Sequence, residues 1–259
     1  MNILLIGNGY WGERYVQTIA GMPEITLEVC TYDYAEKIKS GKFAAAIICT
    51  PAETHFKITK DCLLSGLNVL VEKPFTMNYH DALELRRLGD EMKKVILVGH
   101  IYMYHKDVID IRNRIESGEL GNILSITSKR MSSYKNSDAL WELAVHDIYI
   151  INNILNGIIH VKNISGDKTH RYIEYRCGYT CITLEVSSVS KEKIREFVVV
   201  GTKKTIMFDD TARYDGVSPL ELQCKHFYDC IVNSIEPTIS VSSACETVKT
   251  LEEIKEDQL

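Results

Sequence analysis

Residues 2–12 read NILLIGNGYWG, a short apolar run that ends in glycines at 7, 9 and 12. A continuous apolar run of this length fits a strand buried on both faces of a parallel sheet. The GERYVQTIAGM that follows has helical spacing and stops at Gly21-Met22-Pro23. Strand, glycine turn and helix together form the context in which G-x-G-x-x-G binds a dinucleotide. Gly7 allows the turn, Gly9 lets backbone approach a pyrophosphate, and Gly12 permits close packing of helix on strand. Asn8, Tyr10 and Trp11, between those glycines, complete the candidate phosphate-binding turn, and the helix start adds free N–H groups. The plainer alternative is a structural turn without a ligand.

The same rhythm continues outward. TLEVCTYD (26–33), FAAAIICT (43–50), NVLVEK (68–73) and VILVGH (95–100) read as strands. HFKITKDCLLSG (55–66) and YHDALELRRLGDEMKK (79–94) read as helices between them. This alternation predicts βαβ units and a parallel sheet. Asp33 closes the second strand, where an acidic side chain accepts the adenosine ribose hydroxyls and disfavours a 2′-phosphate. NAD is therefore the expected cofactor, with NADP left open because Tyr32 and Tyr34 compete for the position. Thr50-Pro51 ends the third strand at the carboxyl edge, with His55 following, and Glu72-Lys73-Pro74 ends the fourth, so Thr50, Pro51, His55, Glu72 and Lys73 are candidate cofactor contacts. A lysine partly desolvated at such an edge can hydrogen-bond a reacting hydroxyl. The ordinary alternative is a strand meeting water.

After residue 100 the grammar changes. A helix over 106–117 and a strand near 122–133 lead to LWELAVHD (140–147), on a helix expected over 139–155 and stopped by Gly157. Strands over 158–166, 171–177, 179–189, 194–201 and 204–209 follow with short turns, which predicts a mostly antiparallel sheet. Two amphipathic helices flank Pro237. The expected domains are residues 1–100 and 101–259. Glu142 and His146 stand four apart, on one face of their helix. They are either an acid–base pair or a polar seam on a buried helix. Asp147 is expected to point elsewhere, solvated or capping.

Bulk properties narrow the class. The 259 residues carry a formal net charge of −5 with no basic block, which argues against a nucleic-acid partner. No apolar run is long enough to span a bilayer, and MNILLIGNGY lacks the basic start of a secretory leader. None of the 8 cysteines forms a CxxC, so free thiols in a reducing cytoplasm, and no metal site, are expected.

In order, GNGYWG, TPAETH, VEKP and LWELAVHD resemble the Gfo/Idh/MocA family of oxidoreductases, in particular its sugar-nucleotide branch. The likeness continues through SGELGNILSITSKR (117–130), VVVGTKKTIMFDD (198–210) and PLELQCKHFYDCIVNSIEPTIS (219–240). The resemblance implies an α/β fold: an N-terminal Rossmann parallel sheet, then an α+β domain with an open, mostly antiparallel sheet, the nicotinamide lying at their junction. It makes Lys73 catalytic, with a cis Lys73–Pro74 bond, and maps the family's aspartate–histidine pair onto Glu142 and His146. His146 then takes the proton from a sugar or nucleotide-sugar hydroxyl, Lys73 stabilises that oxygen, and Glu142 tunes the pair. Tyr102, Tyr104 and Arg130 are candidate substrate contacts, although solvated or core roles are as open for them. A homodimer or homotetramer through the C-terminal sheet is implied.

Departures from the pattern are also present. Glu142 is one methylene longer than the usual aspartate, and a shift of about 1 Å can cost roughly 100-fold in rate. The stretch between Asp33 and Thr50 leaves room for only one short helix and a strand, so a βα unit on the adenosine side is trimmed. YHKDV (104–108) stands where relatives have Y-N-P-x-V, Lys204 replaces a glycine, and Tyr149 replaces an acidic residue. Two rival readings follow: a weakened dinucleotide-binding relative serving as a scaffold, and an NAD-dependent glycosidase.

Overall fold

The computed structural model describes residues 1–133, 137–155, 159–209 and 216–256. Gly157, the expected helix stop, lies outside the described residues, as do Ile158 and Asp210. The chain divides into two compact units: Met1–Ile101 with Val217–Val248, and Tyr102–Gly216 with the residues from Lys249 onward. Residues 217–248 thus group with the N-terminal unit, whereas the change of sequence grammar near residue 100 placed them in the second domain.

In the first unit, β1 (Asn2–Ile6), β2 (Thr26–Cys30), β3 (Ala45–Ile48), β4 (Asn68–Val71) and β5 (Ile96–Val98) form one parallel sheet in the order β2-β1-β3-β4-β5. Every residue of β3 and β5, and β1 from Ile3 onward, is buried, which is why these strands read as unbroken apolar runs. The chain leaves β1 for β2, then crosses back to β3, so the order reverses between β1 and β3. Among the described residues β2 is the end strand of this sheet. The helices are α1 (Tyr10–Ile19), the six-residue α2 (Tyr34–Lys39), α3 (His55–Leu64) and α4 (Tyr79–Met92). α4 starts at Asn78, whose side chain accepts the Asp81 N–H, and ends at Lys93 in a left-handed conformation.

In the second unit, α5 (Lys106–Glu116) precedes β6 (Ile123–Ser133). After it come a π-helical turn, Leu140–Ala144, and α6 (Val145–Leu155). Then follow β7 (Ile159–Gly166), β8 (His170–Cys177), β9 (Thr180–Ser187), β10 (Val189–Gly201) and β11 (Thr205–Asp209). Their sheet runs β11-β10-β6-β9-β8-β7, antiparallel except for the β6–β9 pair. β10 starts before the expected residue 194 because a register shift between Val189 and Ile194 carries the strand past an irregularity. Ile126, Ile173, Ile182 and Val199 line the buried face of the sheet. Two further helices are α7 (Pro219–Val232), started by Ser218 with proline at its first turn, and α8 (Val241–Glu256).

Candidate functional site

In the first unit the candidate residues gather at the carboxyl ends of β1, β3 and β4, on the side where open parallel sheets bind ligands. Gly7 leaves β1 at φ +99°, and a Cβ there would lie 2.7 Å from the Cys49 carbonyl oxygen that follows β3. A Cβ on Gly12 would lie 2.4 Å from the Gly7 carbonyl oxygen, so the helix sits hard on the turn. Gly9 caps α1, and a Cβ there would meet no atom within 4 Å. Bare backbone at a helix start, open on one side, fits the close approach of a pyrophosphate. Asn8 is exposed beside it. Tyr10 and Trp11 turn towards Arg14, whose guanidinium lies 4.9 Å and 5.9 Å from their ring centres. Asp33 is exposed at the start of α2 in a left-handed conformation, φ +56°.

Thr50 accepts the Thr54 hydroxyl at 2.7 Å, and Pro51 is exposed. His55 is buried, its Nδ1 lying 2.7 Å from the Pro74 carbonyl and its Nε2 2.9 Å from that of Thr50. It ties the third-strand exit to the fourth, and burial lowers its pKa. Glu72 is buried and accepts the Tyr15 hydroxyl at 2.8 Å and the Lys73 backbone N–H at 3.2 Å. Lys73 is half-buried, and its bond to Pro74 is cis. His100, two residues past β5, is a residue of this corner that sequence reasoning passed over. Burial, and then the Lys73 charge, press its pKa down to about 3, so a neutral imidazole faces the lysine charge.

In the second unit, every residue from 139 to 151 is buried except Glu142 and His146. The helix therefore opens at those two positions. It opens where Leu140–Ala144 wind as a π-helix rather than the expected α-helix, a local irregularity frequent at functional sites. The Tyr102 ring meets His146 edge-on at 5.0 Å and lies 4.4 Å beneath the Arg130 guanidinium. Tyr102 also accepts a hydrogen bond from Arg195. Tyr104 is half-buried.

Asp147 departs from its expected surroundings. Asp147 is 1% exposed rather than solvated. Its two oxygens accept Nε and Nη2 of Arg130, each at 2.7 Å. Arg130 is itself 3% exposed and closes this fork inside the unit. A bidentate pair satisfies both charged groups where water cannot. Tyr149 is fully buried, and burial pushes its phenol pKa up.

Residues 22–100 match the Gfo/Idh/MocA family model, described as an oxidoreductase family with an NAD-binding Rossmann fold. The match bears out the resemblance, the fold class and the cofactor class expected from sequence. Among relatives, the uncharacterized oxidoreductase YdgJ of Escherichia coli is 28% identical over 46% of this chain and 40% of its own length. UDP-N-acetylglucosamine 3-dehydrogenase of Acidithiobacillus ferrooxidans is 29% identical over 40% of this chain and 33% of its own. In both, the matched stretch is less than half of the relative. Among solved structures, the scyllo-inositol dehydrogenase of Lactobacillus casei superposes with a TM-score of 0.88 at 12% identity, covering 99% of this chain and 96% of that one. At that identity the likeness is one of fold.

Proposed function

We propose, from the premise that this chain carries the NAD-binding module of the Gfo/Idh/MocA oxidoreductases, that it is a dehydrogenase acting on a hydroxyl carbon of a sugar or nucleotide sugar. The observation that carries the reading is that, between residues 139 and 151, the buried helix is open at Glu142 and His146 alone. An imidazole presented beside a carboxylate suits proton transfer near neutral pH. In this reading Gly7, Gly9 and Gly12 hold the pyrophosphate, and Asp33 the adenosine ribose. NAD held there supplies the hydride acceptor. In the second unit His146 takes a hydroxyl proton and Glu142 orients the imidazole; in the first, Lys73 donates a hydrogen bond to substrate oxygen as negative charge develops. Tyr102 packs against His146 and limits its rotation. Arg130 contributes to that packing through the Tyr102 ring, in place of the direct substrate contact expected from sequence.

The test is steady-state kinetics of Lys73→Met and His146→Ala with NAD and a panel of nucleotide sugars and cyclitols. Each variant is expected to lose about 10²- to 10⁴-fold in kcat. Near-normal turnover in both sinks the assignment, and tight dinucleotide binding without turnover by the unaltered protein favours the scaffold reading. A homo-oligomer through the second sheet belongs to the same proposal. It is supported by the outward row of Met207, Val198, Thr127 and Thr183 across four strands, and a monomeric mass in solution ends it.

A further inference from the structure

Three buried groups of the first unit form a line to which the proposed reaction assigns no part. Gln223, on α7, donates from Nε2 to the Tyr15 hydroxyl at 2.7 Å. That hydroxyl donates to Glu72 Oε1 at 2.8 Å, and Glu72 Oε2 accepts the Lys73 backbone N–H at 3.2 Å. Gln223 and Tyr15 are each 0% exposed and Glu72 is 4% exposed. Tyr15 lies on α1, the helix that leaves the glycine turn. A single hydroxyl thus links that helix, α7 and the corner that carries Lys73.

Apolar side chains of similar volume would fill these positions without burying polar atoms, so packing alone does not call for the line. The surroundings tie it to Glu72. Facing that carboxylate are Tyr15 from α1, Cys49 after β3 and Cys224 from α7, with Gln223 behind the Tyr15 hydroxyl. Gly99, after β5, leaves space for it: a Cβ there would lie 2.9 Å from Oε2. Burial, and then the Glu72 charge, push the Cys49 thiol well up and that of Cys224 up to about 12. Both sulfurs therefore stay protonated beside the carboxylate.

We propose that Tyr15 and Gln223 are positioning residues for Lys73: they fix the Glu72 carboxylate, which holds the Lys73 backbone, so the helix of the glycine turn sets where the lysine stands. This rests on the reading of Lys73 as the group that stabilises the substrate oxygen. Four variants test it: Tyr15→Phe, Gln223→Leu, Lys73→Met, and Tyr15→Phe with Lys73→Met. In Tyr15→Phe, kcat falls about 10- to 100-fold, while the NAD dissociation constant from fluorescence titration stays within about threefold, the coupling running through Lys73 alone. Backbone hydrogen exchange at Lys73 rises about tenfold or more while that of β5 is unchanged. In the Lys73→Met background, adding Tyr15→Phe costs less than about twofold further, as expected of residues acting through one another.

Gln223→Leu gives a smaller change of the same pattern and stands in should Tyr15→Phe fail to fold. Unchanged exchange at Lys73, or exchange raised across the whole sheet together with weakened NAD binding, overturns the proposal. Normal turnover by Lys73→Met instead overturns the reading of the reaction, and the exchange measurement then still decides whether the line holds the backbone.

Discussion

Beneath Lys73, a buried carboxylate reaches Gln223 through a phenol. Beside His146, a buried carboxylate closes directly on a guanidinium. The first arrangement is a chain whose members can be lost one at a time. The second is a fork whose halves are useful only together, because either half alone is a charge out of water. The candidate residue of one unit thus stands over graded contacts, and that of the other beside an all-or-none pair.

The largest expected effect breaks the fork. Asp147→Ala leaves the Arg130 charge buried and costs about 3–5 kcal/mol of stability, measured by urea unfolding. A loss below about 1 kcal/mol would make the fork no stronger than a surface pair. The next concerns His100, whose folded pKa of about 3 lies below the 6.5 of an ordinary histidine. Its neutral form is the folded one, so its contribution is complete above pH 6.5 and drains as the pH falls towards 3. Between pH 7 and pH 5 the protein should lose about 2 kcal/mol through this residue. His100→Gln should flatten that part of the stability profile, and an unchanged profile would assign the acid sensitivity elsewhere.

Tyr15→Phe should cost less than the fork, about 1.5 kcal/mol, for one hydrogen bond to a buried carboxylate. A cost equal to that of Asp147→Ala would erase the distinction between the two arrangements. The smallest effect belongs to the surface. Lys204 pairs with Glu119, and both are exposed. Lys204→Ala should leave the unfolding midpoint unmoved.

The strands around Ile3–Ile6 and Ala45–Ile48 were legible in the sequence because full burial forces contiguous apolar residues. The glycine turn was legible because backbone contact fixes Gly7 and Gly12, while Gly9 stands open at the helix start. Glu142 and His146, the two residues between 139 and 151 that are not buried, were legible as polar breaks in an apolar helix. The links beneath the candidate residues were not. Arg130 and Asp147 are 17 residues apart, and Tyr15 and Gln223 are 208 apart. A long-range polar partner leaves no periodic trace, so Asp147 read as a solvated neighbour of His146. His100 read as the last residue of a strand because its neutrality is set by enclosure, which composition does not record.

The five-stranded sheet stops at β2, and an end strand offers its unpaired amides and carbonyls to any passing chain. Glu28, within β2, is held by Lys37 and Lys42, whose hydrogen bonds keep its carboxyl down at about 2. The sheet margin thus carries fixed charge at any pH a cell reaches. That charge works against growth, edge on edge, into fibrils.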